Sequence, residues 1–269
     1  MNINIAKQKQ VSNRLTKLFT QGKKGLLNIY CTAGFPRLQD TVPIIKALEK
    51  SGADIVELGI PYSDPLADGP VIQKSGSKAL ENGMTVNVLF EQLKDLRKDV
   101  NIPIVLMGYI NPVLQYGIEA FCAKCAEVGV DGLILPDLPV DQYMDNYQPI
   151  FEKHNLSNIF LITPRSSDAR IQYLDQCSSG FIYAVSTLST TGSASANMNA
   201  SDEYLKRIGN MGLKNPILTG FNIKDKESFD VASRHTDGGI IGSAFIRHIE
   251  NSRDLDTDIQ QFIYKIKGR

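Results

Sequence analysis

The chain has 269 residues, 42% of them hydrophobic and 22% charged, and its 29 Lys and Arg balance 29 Asp and Glu to a formal charge of zero. That balance argues against nucleic acid or an anionic membrane as the main partner, since both select basic surfaces, while the length suits one α/β barrel. No apolar run approaches the about 20 residues a membrane span needs, and the opening MNINIAKQKQ has no apolar leader core, so a cytoplasmic protein is expected.

In chain order the sequence is a repeated strand, loop and helix. A helical segment over 5–21 comes first and is expected to cap the bottom of the barrel. Short, β-branched, apolar strands follow at 26–31, 54–59, 104–107, 132–135, 159–162, 182–185, 217–219 and 239–241. Stretches of helical period fall at 41–51, 86–98, 118–128, 142–153, 168–176, 202–211, 226–233 and 251–265. This alternation predicts a single (β/α)8 TIM barrel over 1–269, with an extra N-terminal helix and no second domain. A doubly wound open sheet is the competitor. It usually has fewer strands and a G-x-G-x-x-G first turn, which is missing after the first strand here.

Two connections exceed the usual βα loop. One is 60–71, IPYSDPLADGPV; the other is 186–201, STLSTTGSASANMNAS, which has no periodicity and is expected to form a lid. Both follow strands, so both belong to the C-terminal face, where this fold builds its active sites.

Period two puts Ile55, Glu57 and Gly59 on one face of the second strand and Val56 and Leu58 on the other. A carboxylate inside such a strand is costly unless it is paired or opens onto a site. The alternative is a structural acid bonded to backbone or a tyrosine hydroxyl. Apolar burial should raise the pKa of Glu57 and suit it to moving a proton near neutral pH. Asp68, in Ala-Asp-Gly-Pro, is expected to stay ionised in a polar setting, giving one acid–base group and one electrostatic partner. Asp64, in Ser-Asp-Pro, reads first as an Asx-turn. Asp137, in Leu-Pro-Asp-Leu-Pro, either lines the site or orients a loop. Tyr30, Tyr109 and Tyr183 are candidate walls for a flat apolar ligand, and core packing explains them nearly as well.

After the seventh strand comes Gly220-Phe221-Asn222, and after the eighth Gly242-Ser243-Ala244 opens a helix. Small residues bare their backbone N–H groups to an oxyanion, and a helix start adds a favourable dipole. Tight helix packing is the other reading. Both loops together, with Thr191-Gly192 reaching over, favour a phosphate seat. His154, His235 and His248 fall on helices or helix ends, and no nucleophile and base pair up. Cys122 and Cys125, the spaced pair among four cysteines, fall on a helical stretch as core-facing residues, so no metal is assigned.

The run from Glu57 through Pro61, Asp64 and Asp68 to Pro70 resembles the signature of the tryptophan synthase alpha subunit family. The likeness continues in Gly34-Phe35-Pro36, Val130-Asp131-Gly132, Pro136-Asp137-Leu138-Pro139, Thr191-Gly192, Gly220-Phe221 and Gly242-Ser243-Ala244. The resemblance implies cleavage of indole-3-glycerol phosphate to indole and glyceraldehyde 3-phosphate. Glu57 would handle protons and Asp68 would hold the indole N–H. Tyr30, Tyr183, Thr191 and Gly192 would belong to the pocket and lid, and Gly220, Asn222, Gly242 and Ser243 to phosphate binding. It further implies no cofactor in this subunit, and a beta partner that carries pyridoxal phosphate in an alpha2beta2 complex.

Four positions depart from the family's usual pattern. Asn222 stands where Gly is common, Ser189-Thr190 precede Thr191-Gly192 where Gly-Val is frequent, and Tyr30 replaces a frequent Phe. Two further readings stay open: a free-standing lyase on the same substrate, and a weakly active subunit kept as an allosteric activator of its partner.

Overall fold

The computed structural model describes residues 11–186 and 194–268, with only the backbone of 194–200. Nine parallel strand segments form one sheet: β1 Leu26–Thr32, β2 Ile55–Gly59, β3 Ile104–Met107, β4 Gly132–Ile134, β5 Ser157–Ile159, β6 Leu161–Ile162, β7 Ile182–Val185, β8 Ile217–Gly220 and β9 Gly238–Ile241. Their spatial order is β5-β4-β3-β2-β1-β9-β8-β7-β6. The two outermost segments are separated in sequence by Phe160 alone. The predicted fifth strand is thus one strand whose lower part pairs with β4 and whose upper part pairs with β7. At the break the Phe160 carbonyl accepts from the Tyr183 N–H (3.0 Å), and its own N–H donates to Ser178 Oγ (3.3 Å). The architecture is the eight-stranded α/β barrel that the alternation predicts.

Residues of alternating register fill the barrel. Leu26, Ile55, Val105, Ile134, Ile159, Phe181, Tyr183, Leu218 and Ile240 pack together inside it. A second, larger core joins the outward faces of the strands to the helices. The helix Arg14–Thr20 inserts Leu15, fully buried, into the inner cluster. That helix plugs the lower end as expected, although it starts later than 5, and 1–10 lie outside the described residues.

Aspartates stitch the lower rim. Asp54, Asp131 and Asp237 each precede a strand, and each accepts a backbone N–H at or next to the start of the neighbouring strand: Leu27 (2.9 Å), Ile104 (3.0 Å) and Ile217 (2.7 Å). These bonds satisfy donors that a strand end would otherwise leave bare.

The connection after β2 runs irregularly to Gly69 and then enters the helix Pro70–Glu81, whose first residue suits proline because its N–H has no intrahelical partner. Of the expected lid at 186–201, residues 187–193 lie outside the described residues. A helix Ala194–Gly209 occupies its second half, where Ala, Ser and Asn show no apolar stripe. The helix expected at 251–265 runs Leu255–Lys267, and the one that Gly242-Ser243-Ala244 opens runs Ser243–Ile249.

Candidate active site

The register of β1 and β2 sets Tyr30 beside Glu57 and Thr32 beside Gly59. Glu57 is fully buried on the inner face, as its alternation with Ile55 and Gly59 requires. Asn28 Nδ2 donates to Glu57 Oε2 (3.0 Å), while Glu57 Oε1 has no partner among the described residues. Desolvation pushes the Glu57 carboxyl up to about 8. The Asn28 bond opposes that rise, and the nearby charge of Asp68 adds to it. The group is therefore protonated at neutral pH and close to exchanging its proton.

Asp68 is half-buried on the loop that follows. Its charge acts on Glu57, Tyr30 and Tyr183, so strand and loop bring the two acids to one mouth. The expectation of a polar setting is modified: burial raises the Asp68 carboxyl as well, and a bond from the Tyr109 hydroxyl pulls it back. The Tyr109 hydroxyl also accepts from the Ala67 N–H (2.9 Å), pinning the loop just before Asp68. Tyr109 thus holds the loop in addition to walling the mouth.

Two glycines make room for two tyrosines. A Cβ on Gly59 would stand 2.1 Å from the Tyr30 hydroxyl, and one on Gly220 would stand 2.3 Å from the Tyr183 hydroxyl. Tyr30 also runs past Gly242, where a Cβ would meet its own Cβ at 3.4 Å. The Tyr30 hydroxyl accepts from Thr32 Oγ1 (3.4 Å), which itself shares a 2.7 Å bond with Ser75.

Because β8 and β9 are neighbours, the loops after them lie side by side. Phe221 (φ 72°) and Asn222 (φ 59°) are both left-handed. Asn tolerates that region and Phe rarely does, so the turn is held by its surroundings. The Ser186 hydroxyl donates to the Phe221 carbonyl (2.7 Å), the Ser186 N–H to the Gly220 carbonyl (3.1 Å), and Ser201 Oγ to the Ser186 carbonyl (2.8 Å). Phe221 also meets Tyr183 edge to face at 6.3 Å. Gly242 caps the helix Ser243–Ile249 without a side-chain bond to its first N–H groups. Gly220 and Gly242 therefore lie against Tyr183 and Tyr30 respectively.

The remaining candidates fall away from this mouth or outside the described residues. Asp64 is exposed and accepts the Ser63 hydroxyl, not the backbone N–H of an Asx-turn. Asp137 Oδ1 accepts the Ile110 N–H (2.9 Å) and so supports the loop carrying Tyr109. His154 bonds Glu119, His235 bonds Asp202 and His248 bonds the Asp258 carbonyl. Cys122 and Cys125 are buried packing residues of the helix Ile118–Val128. Thr191, Gly192 and the Ser189-Thr190 pair lie outside the described residues. Asn28 and Ser186 escape a reading of motifs. The one signal for Asn28 is an amide at an inward position of an apolar strand, two residues before Tyr30.

Comparison with known proteins agrees with this geometry. The family described as tryptophan synthase alpha chain matches residues 16–268. The tryptophan synthase alpha chain of Flavobacterium johnsoniae is 54% identical over 255 residues, covering 95% of this chain and 100% of that protein. The structure of tryptophan synthase subunit alpha from Legionella pneumophila superposes with a TM-score of 0.84 at 33% identity, covering 96% of this chain and 98% of the other. A structure of Mycobacterium tuberculosis tryptophan synthase has a TM-score of 0.84 at 30% identity, with the same two coverages of 96% and 98%. A match over nearly the whole chain, on a barrel with two acids at its mouth, leaves one conclusion: this protein belongs to the tryptophan synthase alpha chain family, the lyases that cleave indole-3-glycerol phosphate.

Proposed function

We propose that Glu57 is the acid–base group of this cleavage, and that Asp68 meets the charge developing at the indole nitrogen. The observation that carries the reading is the buried, protonated Glu57 with one oxygen free of partners among the described residues, sharing its mouth with Asp68. The proton leaves Glu57 for the ring carbon that bears the glycerol chain, and positive charge moves onto the ring nitrogen, where a fixed carboxylate lowers the barrier. Glu57, now a carboxylate, takes the proton of the adjacent glycerol hydroxyl. The carbon–carbon bond breaks as the carbonyl of glyceraldehyde 3-phosphate forms, and the electron pair returns to the ring. The acid ends protonated, ready for the next turnover.

Tyr30 and Tyr183 wall the indole in this scheme, and the backbone of Gly220, Asn222, Gly242 and Ser243 holds the phosphate. Thr191 and Gly192 belong to the closing segment by family resemblance. The chemistry moves protons and stabilises charge, so it calls for no cofactor in this chain. Pyridoxal phosphate belongs to a beta partner. A surface suited to that partner surrounds Leu66, which is 94% exposed on the Asp68 loop. Tyr62 and Tyr109, the latter bonded to the Ala67 N–H, pack ring to ring at 5.2 Å, and Leu114 is 46% exposed on the helix Ile110–Tyr116. Four free, buried cysteines accord with a reducing cytoplasm.

Indole release from indole-3-glycerol phosphate, measured with and without a beta subunit, tests the reading. Slow turnover alone and faster turnover with the partner are expected. Turnover that ignores the partner favours a free-standing lyase, and none under either condition overturns the enzyme.

A further inference from the structure

We propose that Asn28 is a positioning residue of the proton-transfer step, selecting which oxygen of Glu57 carries the proton. The inference rests on the acid–base reading of Glu57. Asn28 is fully buried inside the barrel, paired in register with Ile55 on one side and Ile240 on the other. An amide in that setting costs free energy unless its hydrogen bonds are met, and Asn offers up to four. It makes one, from Nδ2 to Glu57 Oε2 at 3.0 Å, and its Oδ1 is unpartnered among the described residues. Among the described residues the side chain ties down no backbone group, so an apolar residue would serve the fold better, and its one hydrogen bond is to Glu57.

The direction of that bond decides the chemistry. An amide N–H only donates, so the oxygen that accepts it is the less basic of the two. The proton of the neutral acid then sits on Oε1, the oxygen that no described residue engages. Asn28 thereby presents the proton on the free oxygen and fixes the other. Once the proton has gone, the same donor stabilises the carboxylate. The groups whose charge acts on or feels Glu57 are Asp68 from the loop, Tyr30 and Cys31 from β1, and Tyr183 from β7. β3 meets it in register with Val105, which does not titrate. Asn28 is thus the neighbour whose bond opposes the rise of the Glu57 pKa.

Asn28→Leu removes the donor and keeps the branched shape. In the full chain, kcat and KM for indole-3-glycerol phosphate are measured separately from pH 5.5 to 9.5, with Glu57 Cδ followed by ¹³C NMR. The expected result is a kcat reduced about tenfold or more, with KM within about twofold. The Glu57 titration and the matching limb of the pH profile should move up by roughly one unit. Asn28→Thr, which keeps a donor hydroxyl, should restore part of both, and it stands in if the Leu variant does not fold. A folded variant with an unmoved limb overturns the inference, because a packing role would not touch it. A limb that moves down also overturns it, since the amide would then be accepting the proton, not donating to the carboxylate. A wild-type chain that releases no indole, or Glu57→Gln that still does, refutes the acid–base reading instead.

Discussion

Glu57 illustrates how the acid proposed for catalysis also bears on stability. Its ionised form is expensive inside the barrel, which is why the folded chain holds its proton up to about pH 8 while the unfolded chain releases it near the ordinary value of 4.5. A raised pKa in the folded state gives stability that is complete below the unfolded value and is lost as pH rises through about 8. Glu57→Gln keeps the volume and removes that loss. Cleavage should vanish, while the urea midpoint of the variant should exceed that of wild type at pH 8.5 and match it near pH 4.5. The gap at high pH should be on the order of 5 kcal/mol. A variant that stays active, or midpoints that run parallel with pH, would place the ionisation elsewhere. At Asn222 the backbone angle, φ 59°, makes a different demand. Glycine adopts it freely, so Asn222→Gly should change KM by less than about threefold, whereas Asn222→Ala should cost about 1 kcal/mol in a urea titration. Equal stability of the two variants would show that the side chain, not the angle, matters there.

At the scale of elements, the rim aspartates do the joining that the short strands cannot. Asp131 takes the Ile104 N–H, Arg97 at 2.8 Å and Arg14 at 3.3 Å, so it ties β3, β4, the preceding helical turn and the plugging helix together. Asp131→Ala leaves the half-buried Arg97 without its carboxylate and should lower unfolding free energy by about 3–5 kcal/mol, read by urea denaturation. A loss under about 1 kcal/mol would mean the Arg97 bonds to the Gly129 and Ile102 carbonyls suffice. The elements also mark what a sequence conveys. The inward placement of Glu57 was legible because period two admits one answer once a face is buried. The break at Phe160 was not, because Ile159 to Ile162 is a continuous apolar run and only the change of pairing partner divides it. The helix from Ala194 was hidden by its small polar residues, which carry no apolar stripe. Phe221 gave no hint of its left-handed angle, since the Ser186 bond that holds it arises from a different strand end.

For the whole molecule, the question is how a barrel with zero formal charge finds a partner, and the answer proposed here lies on the loop that carries Asp68. Leu66 stands 94% exposed only two residues from that acid, on a segment fixed by the Tyr109 hydroxyl and, through Asn111, by the Tyr62 hydroxyl at 3.1 Å. A large apolar side chain held in water by an ordered loop contributes nothing to the fold, and it gains free energy when a second surface covers it. Leu66→Asp should leave the urea midpoint of the isolated chain within about 0.5 kcal/mol of wild type, because the residue packs against little. It should weaken association with the beta subunit by at least about tenfold, read by titrating the partner against indole release, since a charge would have to be desolvated at the contact. Affinity that survives the substitution would move the docking surface away from this loop, and the exposed leucine would then need another occupant.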